Sequence, residues 1–360
     1  MHKLIGGILG ALLLAACGGA QTPASSGAAG QASGAPSTPP EIARYQGTDR
    51  QQVLEAGARK EGTVTWYTSM AGDAIDGVTN GFKQKYPYVQ VNVFRADAID
   101  LITKATQEAQ AGRQTFDLFE GNQLLVLADA KLVTPFYSPA LTNIAADLKL
   151  GAEAPLATGA SDWTTLIGFG YNTKLIVESA VPKTQADLLN PALKGKLALA
   201  GSTTGSNWIG SILLAMGDQK GREFLKQLSS QQQPSVQQIS GKALQDLVAK
   251  GEVPASPTIF RDHVRQSQAQ GAPINWLPLE PVPALVTKVG IAAKAPHPYA
   301  GMLYMDWLLD GAQPILKEHF YSSGAEKFPF KIWAIDAGKT SDQLQQQLQD
   351  WTDLFKANFR

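Results

Sequence analysis

Residues 63–68 read Thr-Val-Thr-Trp-Tyr-Thr, a run of β-branched and aromatic side chains that predicts a buried β-strand. A short polar loop over Ser69–Asp73 follows, and the apolar spacing from Ala74 to Lys85 then predicts an amphipathic helix. A strand, a loop and a helix in this order make the repeating unit of an α/β sheet. This stretch therefore indicates the fold class at the start of the folded chain.

The same alternation continues, with a strand predicted over 89–94, a helix over 98–112 and a short strand over 116–119. It predicts an α/β fold with mostly parallel sheets, in which ligands bind beyond the carboxyl ends of the strands. The loops that follow the first and third of these strands should then face one cleft. The ligand-binding residues predicted there are Ser69, Ala71, Gly72, Asp73, Glu120, Asn122 and Gln123.

A second α/β set follows the strand predicted over Asp162–Asn172, which we expect to cross between two lobes. It includes a strand over 196–200, the polar loop Gly201–Asn207 and helices over about 208–217 and 219–229. About 315 residues follow Glu41, more than one core usually holds, which indicates two lobes. The predicted boundaries are 45–160 and 279–335 for lobe one, 161–278 for lobe two, and 336–360 for a C-terminal helix.

The N-terminus has the pattern of an export signal. A positive start at Met1–Lys3 precedes an uncharged apolar run, Leu4–Leu14, that is too short to span a bilayer. The run ends in Leu-Ala-Ala-Cys, similar to a bacterial lipobox, and Cys17 is the single cysteine of the chain. This pattern predicts a signal peptide over 1–17 and a lipid anchor on Cys17. The alternative is an ordinary secretory signal cut near the same position.

Residues 18–44 are predicted to form a flexible tether, because the run from Gly18 to about Pro40 has small and polar residues without charge. The whole chain carries 31 basic and 31 acidic residues, with no basic run longer than a pair. That balance argues against a nucleic acid partner. No later stretch is apolar enough to predict a membrane span.

Several segments, in order, resemble the extracellular solute-binding proteins of bacterial ABC transporters, in the branch around the ferric-iron-binding periplasmic proteins. They are Glu61–Ser69, Phe82–Pro87, Ala111–Arg113 with Phe116–Phe119, Asp187–Pro191 with Lys194–Lys196, and Lys294–Pro298 with Trp307–Leu309. The resemblance implies a two-lobed periplasmic binding protein-like fold with two crossing strands and a ligand cleft between the lobes. It also implies delivery of a small solute to an ABC permease and its ATPase. We expect a monomer that is anchored by lipid to a membrane facing the periplasm, or on the cell surface of a monoderm.

The resemblance implies that family members which bind bare ferric ion do so with an adjacent pair of tyrosines in the second lobe. Here the corresponding stretch, Pro257–His263, has Phe260 and Arg261 and no tyrosine pair, so phenolate ligands for iron are missing. Arg261 and His263 instead favour an anionic solute such as a phosphonate, a phosphorylated sugar or an organic acid. Binding of ferric iron or an iron chelate remains the alternative. No metal site and no cofactor is predicted.

The loop between the strand at 196–200 and the next helix should contribute backbone N–H groups for an anion. Its predicted binding residues are Ser202, Thr203, Thr204, Ser206 and Asn207. Arg265 lies four residues after Arg261, where a solvated position or a pair with Asp262 or Glu252 is favoured. A purely structural role remains open for His263.

An exported two-domain enzyme is the main alternative of another class, and a sensor subunit with the same fold is a third. The sequence contains no Gly-x-Ser-x-Gly, no His-Glu-x-x-His, no nucleotide-binding Walker loop and no cysteine nucleophile. We therefore predict a binding protein and not an enzyme.

Overall fold

The computed structural model describes residues 36–70, 72–96, 98–151 and 153–359. Cys17, the predicted signal peptide and residues 18–35 of the predicted tether lie outside the described residues. The helices are α1 (Pro39–Ala43), α2 (Arg50–Glu61), α3 (Gly72–Lys85), α4 (Ala98–Gln110), α5 (Leu124–Asp129), α6 (Thr203–Met216), α7 (Asp218–Gln232), α8 (Gly241–Lys250), α9 (Arg261–Ala269), α10 (Pro298–Asp306), α11 (Gln313–Glu318) and α12 (Ser341–Asn358). The strands are β1 (Thr63–Thr68), β2 (Gln90–Arg95), β3 (Leu118–Gly121), β4 (Val133–Thr134), β5 (Lys149–Leu150), β6 (Gly159–Asn172), β7 (Ala198–Ala200), β8 (Ser235–Gln237), β9 (Ala255–Phe260), β10 (Ile274–Leu277), β11 (Val282–Ala292), β12 (Ser322–Ser323) and β13 (Ile332–Ala334).

The first part of the chain builds a parallel sheet with β1 between β2 and β3. β1 spans the residues predicted for it, because its β-branched and aromatic side chains are uninterrupted. Helices α3 and α4 follow β1 and β2, as the alternation predicts. Thr68 is the register partner of both Arg95 and Glu120, so the carboxyl ends of all three strands lie at one edge.

The crossing strand is β6, which is shared by two sheets. Its first half, Ala160–Leu166, pairs antiparallel with β11, and its second half, from Ile167 to Asn172, pairs with β9 and β10. The sheets are therefore mixed, and the expectation of mostly parallel sheets is wrong for the centre of the molecule. The physical reason is that the outgoing strand β6 and the returning strand β11 lie side by side and run in opposite directions.

The buried side chains form separate cores on either side of this crossing. The first core draws on residues 42–166 and 282–334, and the second core draws on 167–279 and 335–359. Leu166 belongs to the first core and its neighbour Ile167 to the second. A third core, drawn from residues 198–274, lies on the other face of β7, where Leu199 and Ala200 point to opposite sides. The two-lobed architecture that the resemblance implies is confirmed.

The C-terminal helix α12 packs on α6 and contributes Trp351 and Phe355 to the second core. Two glycines of α6 make room for these rings. A Cβ on Gly210 would lie 2.6 Å from a ring carbon of Trp351, and one on Gly205 would lie 2.7 Å from the ring of Phe355. The last helix therefore covers a face of α6 that would otherwise expose apolar surface.

The predicted tether is shorter than 18–44, because its last residues are folded. Helix α1 begins with a capping box in which Glu41 accepts from the backbone N–H of Thr38. Ile42 and Ala43 are buried in the first core, which gives this short helix the apolar anchor that a tether lacks. None of the described helices has both the length and the apolarity needed to cross a membrane.

Candidate ligand-binding site

The first edge of the candidate site is formed by the carboxyl ends of β1 and β3. Beyond them, Ser69 and Gln123 are half-buried and Asn122 is exposed. Gly72 begins α3 and is exposed, whereas Ala71 lies outside the described residues. Asp73 is also exposed, and its Oδ2 atom lies 3.3 Å from Nδ1 of His319. The polar residues that the sequence places at this edge are there, with the exception of Glu120, which lies beneath it.

Glu120 is buried beneath Trp163 of the crossing strand. The Thr68 hydroxyl donates to its carboxylate at 2.7 Å, and the indole N–H of Trp163 donates at 3.1 Å. Burial raises the pKa of Glu120 to about 7. The neighbouring Asp162 is also buried, and its pKa is raised first by burial and then by the charge of Glu120. Glu120 therefore supports the wall of the site and does not present its carboxylate to a solute.

The second edge is formed where α6, α8 and α9 begin, directly after β7, β8 and β9. Ser202 caps α6 and Ser240 caps α8. A Cβ on Gly241 would lie 2.9 Å from the ring of Phe260 and 3.1 Å from Thr204, so the starts of the three helices meet. Peptide N–H groups at helix starts are directed outward and attract anions.

The predicted binding loop Gly201–Asn207 is mostly helical, because α6 begins at Thr203. Ser202 is half-buried and Thr203 is exposed at the helix start, and Thr204 is buried beside Gly241. The Ser206 hydroxyl lies 2.9 Å from that of Thr352 in α12, so this side chain is directed away from the edge. Asn207 is buried as well, and its Oδ1 atom has no hydrogen-bond partner among the described residues. Helical periodicity explains why Ser206 and Asn207 leave the edge.

Arg261 joins the two lobes at this edge. It is the first residue of α9, and both Nη1 and Nη2 lie 3.1 Å from Oε1 of Glu326 in the first lobe. Its Nη1 atom also lies 3.4 Å from the hydroxyl of Ser322. The guanidinium group lies 5.4 Å and 5.9 Å from the ring centres of Phe328 and Phe330. A side chain from the second lobe thus rests on a segment of the first.

A continuous set of contacts connects the residues predicted on the two lobes. Trp163 donates a hydrogen bond to Glu120, and the centre of its ring lies 4.7 Å from that of Tyr321. Tyr321 directly precedes Ser322 in the chain. Ser322 pairs with β6 and contacts Arg261. Sequence reasoning missed Trp163, Ser322 and Glu326. The sequence did contain a signal for Trp163, because a tryptophan stands at the start of the predicted crossing strand. It contained no local signal for Glu326, because its partner Arg261 lies 65 residues away in the chain.

Arg265 lies one turn after Arg261 and is half-buried. Among the described residues it forms no ion pair, including none with Asp262 or Glu252, the partners favoured by the sequence. Burial lowers the pKa of Arg265 and the charge of Arg261 lowers it further, whereas the charges of Glu326 and Asp262 act in the opposite direction. Two neighbouring guanidinium groups, one of them without a close ion pair among the described residues, form a candidate receptor for an anion.

His263 supplies no positive charge to this receptor at neutral pH. Burial lowers its pKa to about 4, and its ring packs edge-on against that of Phe260 at 5.4 Å. Within the described part of the chain, no three His, Cys, Asp or Glu side chains are grouped so as to hold a metal ion.

Three surface cavities lie elsewhere, and none of the predicted binding residues lines them. Their volumes are about 270, 330 and 520 Å³. The second is lined by Lys149, Lys288 and Lys339 with Asp129 and Asp336, and Lys288 is paired with Asp336 at 2.6 Å.

Comparison with known proteins gives a family for this architecture. A family model described as bacterial extracellular solute-binding protein matches residues 100–328, well over half of the chain. Among curated proteins, none matches the sequence.

Solved structures share the fold at low sequence identity. The periplasmic binding protein AfuA of Actinobacillus pleuropneumoniae, with fructose 6-phosphate bound, is 21% identical with a TM-score of 0.65, covering 82% of this chain and 99% of its own. The Trichodesmium protein IdiA (FutA), in complex with iron and citrate, is 17% identical with a TM-score of 0.64 over 82% and 99%. Iron-bound HitA of Pseudomonas aeruginosa is 17% identical with a TM-score of 0.61 over 82% and 98%.

Proposed function

This chain belongs to the bacterial extracellular solute-binding proteins, and from that premise we propose that it captures a small anionic solute for an ABC importer. Family membership makes it an exported protein that binds a solute outside the cytoplasm. The solute class is our inference from the site. Phosphonates, phosphorylated sugars and organic acids belong to that class.

The observation that carries the anionic assignment is the pair of arginines on α9. Arg261 forms an ion pair with Glu326 of the other lobe, and Arg265 one turn later has no close ion pair within the described residues. Guanidinium groups bind carboxylate and phosphate through two parallel hydrogen bonds. The N–H groups at the starts of α6, α8 and α9 add positive potential to the same edge.

Around this pair, we propose a pocket whose walls come from both lobes. Ser69, Gly72, Asn122 and Gln123 contribute from the first lobe, and Ser202 and Thr203 contribute from the second, since these residues lie at the two edges. Closure of the lobes around the solute would be the state that the permease recognises. We also propose that the protein acts as a monomer.

Lipid attachment at Cys17 is a further part of the proposal. The sequence pattern around this single cysteine supports it. Intact-protein mass spectrometry should show a lipid-sized mass increase on the processed N-terminus, and Cys17→Ser should release the protein from the membrane fraction. An unmodified wild-type N-terminus that starts elsewhere would rule the anchor out.

An iron chelate is the second candidate, because one structural relative is described with iron and citrate. A chelate that carries free carboxylates would use the same two arginines. Bare ferric ion is less favoured, because Phe260 and Arg261 supply no oxygen ligand.

Native mass spectrometry combined with metal analysis of the processed protein, as purified from its host, separates these candidates. A small organic mass without metal supports the anionic solute, and iron together with an organic mass supports the chelate. One iron per chain with no organic mass would overturn the anionic assignment. Release of a chemically altered solute over time would instead indicate an enzyme.

A further inference from the structure

Glu326 binds Arg261 in a geometry that leaves much of the guanidinium unused. Both Nη1 and Nη2 are 3.1 Å from the same carboxylate oxygen, Oε1. A matched carboxylate offers one oxygen to each nitrogen, and this is the stronger, bidentate arrangement. The ion pair therefore holds Arg261 without meeting its full hydrogen-bonding capacity.

The position of Glu326 beside Arg261 is also accessible to another anion. The Glu326 side chain is 28% exposed and that of Arg261 is 13% exposed, and each residue comes from a different lobe. A partly exposed carboxylate keeps part of its hydration, so its release costs less than that of a fully buried one. Phe328, Phe330 and Ser322 contact Arg261 independently of Glu326 and would keep the guanidinium in place.

We propose that Glu326 is an exchangeable internal counter-ion, which occupies Arg261 until the anionic group of a solute replaces it. This inference rests on the anionic function proposed above and specifies it further. Glu326 thereby sets an affinity threshold at this position, since every solute must compete with a carboxylate that is already in place.

Doubly charged tetrahedral anions can exceed this threshold more readily than simple carboxylates. A monocarboxylate would exchange one singly charged group for another and gain no net charge. A phosphate monoester or phosphonate brings about two negative charges and three oxygens. It can engage Arg261 bidentately and still offer an oxygen to Arg265, which has no close ion pair among the described residues although the charge of Glu326 acts on it.

Binding of inorganic phosphate and of acetate, measured by isothermal titration calorimetry at constant ionic strength, tests this proposal. The variant Glu326→Gln removes the competing charge and keeps the side-chain shape. We expect it to bind phosphate at least tenfold more tightly than the wild type. Its affinity for acetate should rise as well, because acetate no longer has to displace a carboxylate. Glu318→Gln, an exposed carboxylate on α11, is the control for the change in net charge.

A double-mutant comparison separates competition from a general electrostatic effect. In an Arg261→Ala background, Glu326→Gln should change phosphate affinity by less than twofold, because the contested group is gone. Glu326→Asp, which shortens the side chain but keeps its charge, should give an intermediate affinity. If Glu326→Gln proves poorly folded by circular dichroism, Glu326→Ala, which also removes the charge, supplies the same comparison.

Different results would overturn the counter-ion role of Glu326 and the anionic function. Equal phosphate affinity in the wild type and Glu326→Gln, with binding lost in Arg261→Ala, would overturn the counter-ion and leave the anionic function standing. Equal tightening by Glu326→Gln with and without Arg261 would also overturn it, because the effect would then be long-range. No binding of phosphate or acetate to any of the variants would overturn both.

Discussion

The indole N–H of Trp163 donates a 3.1 Å hydrogen bond to Glu120, a carboxyl group that is fully buried and also accepts from the hydroxyl of Thr68. Trp163 is on the crossing strand and Glu120 is at the end of a first-lobe strand. Their contact fixes the position at which the crossing strand leaves the first sheet. A titratable group thus lies directly behind the wall of the candidate site.

The buried Glu120 predicts an unusual dependence of stability on pH. Burial raises its pKa to about 7 from an ordinary value of 4.5, so between these values the folded state holds a proton that the unfolded state has released. The contribution of Glu120 to stability is therefore lost as the pH rises from 4.5 to 7, by on the order of 3 kcal/mol. Urea unfolding at a series of pH values should show this fall in the wild type and a smaller fall in Glu120→Gln.

Glu318→Gln, which alters an exposed carboxylate, is the matched control and should follow the wild type. A difference between Glu120→Gln and the wild type that stays constant across pH would show that the pKa of Glu120 is the same in the folded and unfolded states.

His263 should remain neutral over the physiological range. Burial lowers its pKa to about 4, and the sign of its contribution follows from linkage. The folded state binds no proton at this ring between pH 6.5 and 4, whereas the unfolded state does, so its contribution to stability is lost as the pH falls. NMR titration should show no His263 transition above pH 5 in the folded protein and one near 6.5 in urea. His263→Gln identifies the signal, and a folded-state midpoint near 6.5 would refute the prediction.

The parts of the fold that were predicted from sequence are those with a local signal. The strand over Thr63–Thr68 has an uninterrupted run of β-forming side chains, and its bounds were correct to the residue. The crossing strand was also recognised, although it begins at Gly159, three residues earlier than expected. Helix α6 was placed too late, because Ser, Thr and Gly over 201–207 are typical of loops. Capping by Ser202 and burial of the following side chains start the helix at Thr203.

The candidate site was predicted less completely because its geometry depends on contacts between distant residues. Arg261 was recognised from its chemistry, but its partner Glu326 comes from the other lobe and no local pattern marks it. Glu120 was expected to face the cleft, because polar residues that follow parallel strands usually lie at the ligand-binding edge of the sheet. The structure shows it covered by Trp163, which only the crossing of the chain brings there.

Trp351 should be one of the main stabilising residues of the second lobe. It is 4% exposed, lies over Gly210 of α6 and packs edge-on against Trp333 with the ring centres 5.5 Å apart. Trp351→Ala would leave a cavity and should lower the free energy of unfolding by about 3–5 kcal/mol. Gln345→Ala, at an exposed position of α12, is the control. Urea denaturation measures the free energy of unfolding of both variants. A decrease below about 1 kcal/mol for Trp351→Ala would mean that α12 contributes little to this core.

The two arginines of α9 should differ in the way that they support binding. Arg265 has no close ion pair among the described residues, so Arg265→Ala should remove an attraction to the solute and change stability less than Arg261→Ala does. Arg261→Ala should reduce phosphate affinity at least tenfold, about 1.4 kcal/mol, and should also leave Glu326 without its ion-pair partner. Arg261→Lys keeps the charge but loses the planar fork, and we expect an intermediate affinity.

Arg222→Ala, which breaks an exposed pair with Asp218 on α7, is the matched control and should bind as the wild type does. Calorimetric titration with phosphate, together with urea unfolding, separates the two effects. If Arg261→Ala and Arg265→Ala both bind phosphate like the Arg222→Ala control, this edge of the second lobe is not where the solute binds.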